Sequence, residues 1–348
     1  MILKESYELK HIEELRIASG NDAILIERSL FAFGLLEALR KVELPFIFKG
    51  GTCLMLLLKN PKRLSTDIDI LVDPNIDVDP YLEKVKSIFP FDSKEEQIRK
   101  GKNNITKRHF KFYYDSPTAN RIYILLDIVY EKDSNYVIQK KEITNSILLT
   151  AGPNLSVDVP SVNSILGDKL CAFAPTTTGI AYNVNKDMEI IKQMFDVSCL
   201  IDEFNDQHQV FEVYKKSVIK ESDFRGTRYS FQDCLIDTIK TCLCICSRGK
   251  YDSEHYSSLL YGIRGIKSHI YGTKYTGEVA SQDACKVLFF ASCLLTGNHF
   301  KLITDPTNYL DNIPLQNPFK LIAPIRKENP ISYGYVVESA KLLSDIKL

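Results

Sequence analysis

The sequence predicts an α+β fold: a small mixed sheet with flanking helices in the first half of the chain, followed by an all-helical C-terminal domain. Three observations carry this. A short apolar run, Phe46-Ile47-Phe48, ends in Lys49-Gly50-Gly51-Thr52, and after a helical-looking stretch Asp67-Ile68-Asp69-Ile70-Leu71-Val72 reads as a strand. Residues 96–130 read as two further strands with a basic lead-in. Beyond Pro160 the apolar residues take the helical period and keep it to the end of the chain.

The first element is a helix capped by Asn21 or Asp22 and running to about Lys41. Ile24, Leu25, Leu30, Phe31, Phe33, Leu35, Leu36 and Leu39 give it a broad apolar face, and it reads as a brace for the sheet.

The stretch from Pro45 to Val72 organises the rest. Two glycines let a backbone approach a ligand closely, and the N–H groups opening the next helix, expected over Cys53–Lys59, attract an anion. The hydroxyl of Thr52 is expected to add one more donor. Asp67 and Asp69 stand at i and i+2 of a strand, so both carboxylates leave one face while Ile68, Ile70 and Val72 leave the other. Two adjacent carboxylates repel unless a cation lies between them, and Mg²⁺ is the hard ion that accepts carboxylates together with substrate phosphates.

Asp73–Pro80 has acidic spacing but lacks the glycine and bidentate glutamate of a calcium loop, so it reads as a solvated loop before a helix over Tyr81–Phe89. His109–Tyr114 alternates, with Phe110, Phe112 and Tyr114 on one face and His109, Lys111 and Tyr113 on the other. Ile122–Tyr130 is nearly all apolar except Asp127, a carboxylate that is costly to bury without a partner. Arg99, Lys100, Lys102, Lys107, Arg108, Lys111 and Arg121 form a basic group along this hairpin, which a polynucleotide backbone could follow.

A boundary is expected near Ala151–Asn154 and Pro160, giving domains over residues 1–155 and 156–348. Ser161 caps a helix over Val162–Phe173, and Asn185 caps another over Lys186–Asp202. The remainder is helical. Cys242, Cys244 and Cys246 lie two apart, so on a helix they diverge and read as core; His255, His269 and His299 show no ligand spacing.

The chain resembles a known family at the residues just described. Gly50-Gly51-Thr52, fourteen intervening residues and Asp67-Ile68-Asp69 resemble the signature of the DNA polymerase β-like nucleotidyltransferases. The fuller string FKGGT…RLSTDID is similar to the AbiEii/AbiGii-type toxins of bacterial abortive-infection and toxin–antitoxin systems. The resemblance implies a polymerase β-like palm with a helical domain closing over the active site. It implies transfer of a nucleoside monophosphate from an NTP to an acceptor hydroxyl, commonly the tRNA 3' end, and a cognate antitoxin. Gly50, Gly51, Thr52 and Ser65 would hold the triphosphate. Asp67, Asp69 and Asp127 would hold two Mg²⁺, or Mn²⁺ in their place, with Asp127 taking the hydroxyl proton. Lys169, Lys192 and Asp196 would face the nucleotide from the two helices after the palm, with Asp168 beside them. Lys100, Lys102, Lys107, Arg108 and Lys111 would meet RNA. The family often has a lysine just before the third aspartate, where this chain has Leu125 and Leu126. A small-molecule nucleotidyltransferase and a nucleotide-binding module without turnover are the rival readings.

Composition bounds the rest. Forty-four basic and forty-four acidic residues leave no net charge, so a nucleic-acid partner must be met by a local patch. Nine cysteines without a Cys-x-x-Cys pair suit a reducing compartment, no signal peptide opens the chain, and no span of some twenty apolar residues is expected, so the reading is cytoplasmic.

Overall fold

Among the described residues of the computed structural model, which are 1–98, 107–132 and 134–348, the first half of the chain is built from four helices and seven strands. These are α1 (Leu9–Ser19), α2 (Ala23–Lys41), β1 (Ile47–Lys49), α3 (Gly50–Leu57), β2 (Asp67–Val72) and α4 (Asp79–Val85), then β3 (Ser93–Glu96), β4 (Lys107–Tyr114), β5 (Ile122–Tyr130), β6 (Ile138–Glu142) and β7 (Ser156–Pro160). The strands form one mixed sheet in the order β3-β4-β5-β2-β1-β7-β6, with β2–β5 and β1–β7 parallel and the other pairs antiparallel. Both edges, SKEE and IQKKE, are short and charged, which discourages further pairing.

One face of the sheet is apolar. Ile68, Ile70, Phe110, Phe112, Tyr114, Ile124, Leu126 and Ile128 are fully buried. Each such aliphatic side chain contributes about 1.5–3 kcal/mol by leaving water. Helix α2 covers this face, as its apolar stretch from Leu30 to Leu39 requires, and the ring of its Phe31 stacks on Tyr114 at 3.8 Å. Asp22 caps the helix by accepting from the Leu25 N–H at 3.1 Å.

Several boundaries differ from the sequence reading. Helix α3 starts at Gly50 rather than Cys53, so the diglycine forms its first turn. Helix α4 ends at Val85, short of Phe89. Strands β3, β6 and β7 were not expected: all three are short, and their partners lie far along the chain or across a loop.

The chain divides into two units, residues 1–161 with 268–274, and residues 162–267 with 275–348. The division falls after β7 because β7 hydrogen-bonds to β1 inside the sheet. The short return segment joins the first unit through Leu64 N–H to the His269 carbonyl at 2.7 Å and Tyr271 N–H to the Lys62 carbonyl at 3.1 Å. Asn21 also donates to the carbonyls of Ser268 and Ile270.

The second unit is helical: α5 (Val162–Ala172), α6 (Asp187–Ile201), α7 (Gln207–Arg225), α8 (Phe231–Cys246), α9 (Ser253–Ile266), α10 (Gly277–Thr296) and α11 (Pro330–Leu342). Helix α6 starts after Asn185, which is left-handed at φ +56°, so Asn185 does not cap it. Cys242, Cys244 and Cys246 are buried in α8, and burial pushes the Cys244 thiol up to about 12. Helix α10 is long and apolar enough by composition to cross a membrane, contrary to the expectation that no such stretch exists. Two thirds of it (67%) is buried within the structure, and it packs on α8, α6 and α11, as a core helix does.

Candidate active site

The polar face of the sheet gathers the acidic residues in one row. Lys49 pairs with Asp69 across β1 and β2, Asp69 with Asp127 across β2 and β5, and His109 with Asp127 across β4 and β5. Register partners share a face, so four neighbouring strands present Lys49, Asp69, Asp127 and His109 side by side. Asp67 lies two residues before Asp69 on the same face.

The three carboxylates are held by different means. Gly50 has φ +83°, and a Cβ there would lie 2.0 Å from Asp69 Oδ2, so the backbone at the start of α3 lies directly against that carboxylate. Asp67 has Arg28 of α2 at 3.6 Å and the Thr66 hydroxyl at 3.4 Å from Oδ1, and its side chain is 48% exposed. Asp127 accepts from His109 Nδ1 at 2.6 Å. Arg28 was not foreseen, because the sequence gives α2 only an apolar brace; its Nε is buried with no hydrogen-bond partner among the described residues. His109 was legible as a residue on the polar face of its strand, but its role followed only from register.

The diglycine turn is lined as a cradle. A Cβ on Gly51 would meet the Arg63 guanidinium and the Ser65 hydroxyl, both at 2.7 Å, so Ser65 stands at this turn together with the unforeseen Arg63. The first N–H groups of α3 have no partners inside the helix and carry its positive dipole end. Thr52 departs from the expectation that its hydroxyl faces a ligand. It is fully buried and its hydroxyl donates to the Asp67 carbonyl at 2.6 Å, so its one proton ties α3 to β2 rather than pointing at a ligand.

Among the described residues no group of three or more His, Cys, Asp and Glu side chains is gathered closely enough to hold a metal ion. The acidic donors on this face, Asp67, Asp69 and Asp127, offer carboxylate oxygens, and the imidazole of His109 beside them is turned onto Asp127 through Nδ1. These carboxylates fit Mg²⁺, which binds through one or two carboxylates and completes its shell with water and phosphate oxygens.

The helical unit holds a separate ionic pair. Lys169 of α5 meets Asp196 of α6 at 2.9 Å, with only 12% and 2% of the side chains exposed. Asp196 is therefore buried and bridges two helices. Lys192 lies 4.0 Å from Glu189, and Asp168 accepts from the Ser217 hydroxyl at 3.4 Å.

A family model described as "Nucleotidyl transferase AbiEii toxin, Type IV TA system" matches residues 35–241, a stretch that carries every one of these groups except Arg28. The chain belongs to the AbiEii nucleotidyltransferase toxin family. Membership makes it a transferase and the toxin member of a toxin–antitoxin pair. No curated protein matches the chain. Among solved structures it is similar to an antigenic nucleotidyltransferase-like protein from Paracoccidioides brasiliensis, at 15% identity over 57% of this chain and 91% of that one, with a TM-score of 0.37.

Among the described residues, the basic side chains of this AbiEii chain are not a uniform ridge. Arg108 forks onto Glu96 with two bonds of 2.8 Å and reaches Asp79 at 2.9 Å. Hydrogen bonding to the Arg108 guanidinium holds the Glu96 carboxyl below the usual carboxylate range. Lys111 lies over the Tyr123 ring at 4.8 Å, Arg121 pairs with Asp92, and Lys107 is exposed. Arg99, Lys100 and Lys102 lie outside the described residues.

Proposed function

We propose that this chain transfers a nucleoside monophosphate from an NTP to a hydroxyl of RNA, with the tRNA 3' end as the leading acceptor, in a reaction that requires Mg²⁺. The observation that carries the reading is the register pairing of Asp69 with Asp127, with the diglycine turn set against Asp69. A phosphate cradle and a carboxylate row one strand apart suit a triphosphate whose α-phosphorus is attacked while pyrophosphate departs.

The residues divide the work. The backbone N–H groups at Gly50 and Gly51, with Arg63 and Ser65, bind and orient the triphosphate. Thr52 holds the cradle to the carboxylate strand. Asp67, Asp69 and Asp127 would hold the Mg²⁺ ions, or Mn²⁺, which when bound neutralise charge on the attacking and leaving oxygens. Asp127 accepts the proton that the attacking hydroxyl loses. The family resemblance assigns Lys169 and Lys192 to the charge growing on the leaving phosphates, with Asp196 also facing the nucleotide.

A cognate antitoxin is the expected protein partner. Nine cysteines without a disulfide suit a reducing cytoplasm as the site of action. A small-molecule acceptor is the second reading. It is favoured by the internal pairing of Arg108, which removes one charge from the proposed RNA ridge. Incubating the protein with each α-labelled NTP and total RNA tests the proposal: label should enter RNA, and its absence from RNA alongside a labelled small molecule would select the second reading.

A further inference from the structure

We propose that His109 is a positioning residue that fixes the third carboxylate, Asp127, in the orientation the transfer needs. The inference rests on the reading of Asp127 as part of a metal-dependent site and adds a residue that the reading does not require.

An aspartate inside the apolar strand Ile122–Tyr130 needs a partner for its charge. Its register neighbour Asp69 cannot serve, because an ionised carboxylate offers only acceptors. On the other side, β4 is antiparallel to β5 and places His109 directly opposite Asp127. Side chains so paired start about 5 Å apart, which a histidine spans without leaving its strand. The result is a 2.6 Å bond from Nδ1 to Oδ1, with the histidine side chain 14% and the aspartate side chain 25% exposed. For Asp127 to serve as a carboxylate ligand, this bond takes its proton from Nδ1.

The histidine backbone is itself held by the β4–β5 ladder and by the Gln97 N–H, which donates to the His109 carbonyl at 2.7 Å. The imidazole therefore sits on a rigid base. A carboxylate tethered through one oxygen has its plane set and keeps the other oxygen for a ligand. Partners of this kind govern how well a ligating group binds, and losing one typically costs about 10- to 100-fold in metal affinity. Phe110 and Phe112, the alternating neighbours of His109, are buried on the opposite face, so the histidine contributes nothing to the core they form.

The test measures Mn²⁺ binding by electron paramagnetic resonance, with a non-hydrolysable NTP analogue present. The proteins are wild type, His109→Ala, His109→Phe, His109→Asn and, as control, Asp69→Asn. Phenylalanine keeps ring volume without the donor, and asparagine returns an N–H near the Nδ1 position. Expected are a 10- to 100-fold weaker Mn²⁺ affinity for Ala and Phe and a value within about threefold of wild type for Asn. The metal concentration for half-maximal transfer should move in parallel, with the NTP KM at saturating metal nearly constant. Wild-type affinity in both Ala and Phe, or an Asn variant as impaired as Ala, overturns the role of His109. If Asp69→Asn binds Mn²⁺ as wild type does, the metal reading itself fails, and the inference falls with it.

Discussion

Asp69 and Asp127 are direct register partners on the parallel strands β2 and β5, so two carboxylates from distant parts of the chain leave one sheet face side by side. Like charges placed so are destabilising, by about 0.2–1 kcal/mol for a directly opposed pair.

Asp69→Asn and Asp127→Asn should each lower transfer by at least about a hundredfold while leaving the fold intact or slightly more stable, because each substitution removes one charge of the pair. Activity and thermal unfolding measured on the same samples check both halves. Near-wild-type turnover in either variant would remove that carboxylate from the mechanism.

Gly50→Ala should be far more damaging than a single methyl suggests. The position has φ +83°, and the new Cβ would fall 2.0 Å from Asp69 Oδ2. Backbone strain alone costs about 1–3 kcal/mol, and Asp69 must also move. Gly51→Ala meets only the ends of the Arg63 and Ser65 side chains, which can shift. Gly51→Ala should therefore fold normally and weaken NTP binding, whereas Gly50→Ala should lower both melting temperature and transfer. Calorimetry with an NTP analogue and thermal melts separate the two.

Much of this was legible in the sequence, and the rest was hidden for a physical reason. Strand, diglycine, helix and acidic strand lie within 28 residues, Pro45–Val72, and local period and turn chemistry suffice to read them. Asp127 stood out as the one charge in an apolar strand. His109 and Arg28 were not assigned to the site, because their meeting with Asp127 and Asp67 depends on strand register and on which side of α2 faces the sheet. The return of residues 268–274 to the first unit leaves no local trace either. In the sequence a hydroxyl directly after a diglycine suggests a ligand donor at Thr52. Only the spatial closeness of α3 and β2 reveals its bond to Asp67.

That bond has its own consequence. Thr52→Val should cost about 1 kcal/mol of stability by leaving the part-buried Asp67 carbonyl without its hydroxyl donor, and Thr52→Ser should cost much less. NTP affinity in Thr52→Ser should match wild type. A Thr52→Val protein as stable as wild type in urea unfolding would contradict the assigned bond.

Charge on the hairpin should separate by residue. Lys107→Glu with Lys111→Glu should weaken RNA modification and flatten its salt dependence, with NTP binding unchanged. Arg108→Ala should act on stability instead. Glu96 is held below the usual carboxylate range by Arg108, so the pair stabilises the fold above the ordinary glutamate pKa, and that contribution is lost as pH falls through the depressed value. The gap in stability between wild type and Arg108→Ala should be about 1 kcal/mol or less at neutral pH, because the Glu96 side chain is 41% exposed, and should close below about pH 4. Denaturant titrations at two pH values check this.

The most direct test of the central claim follows which phosphate moves. The protein is incubated with RNA and one NTP labelled either at the α- or at the γ-phosphate, with and without a chelator, beside Asp69→Asn. Nucleotidyl transfer by the carboxylate row requires α-label on the RNA and γ-label in released pyrophosphate, with both signals lost in the chelated sample and in Asp69→Asn. Label from the γ-position on RNA, or α-label transferred equally well by Asp69→Asn, would contradict it.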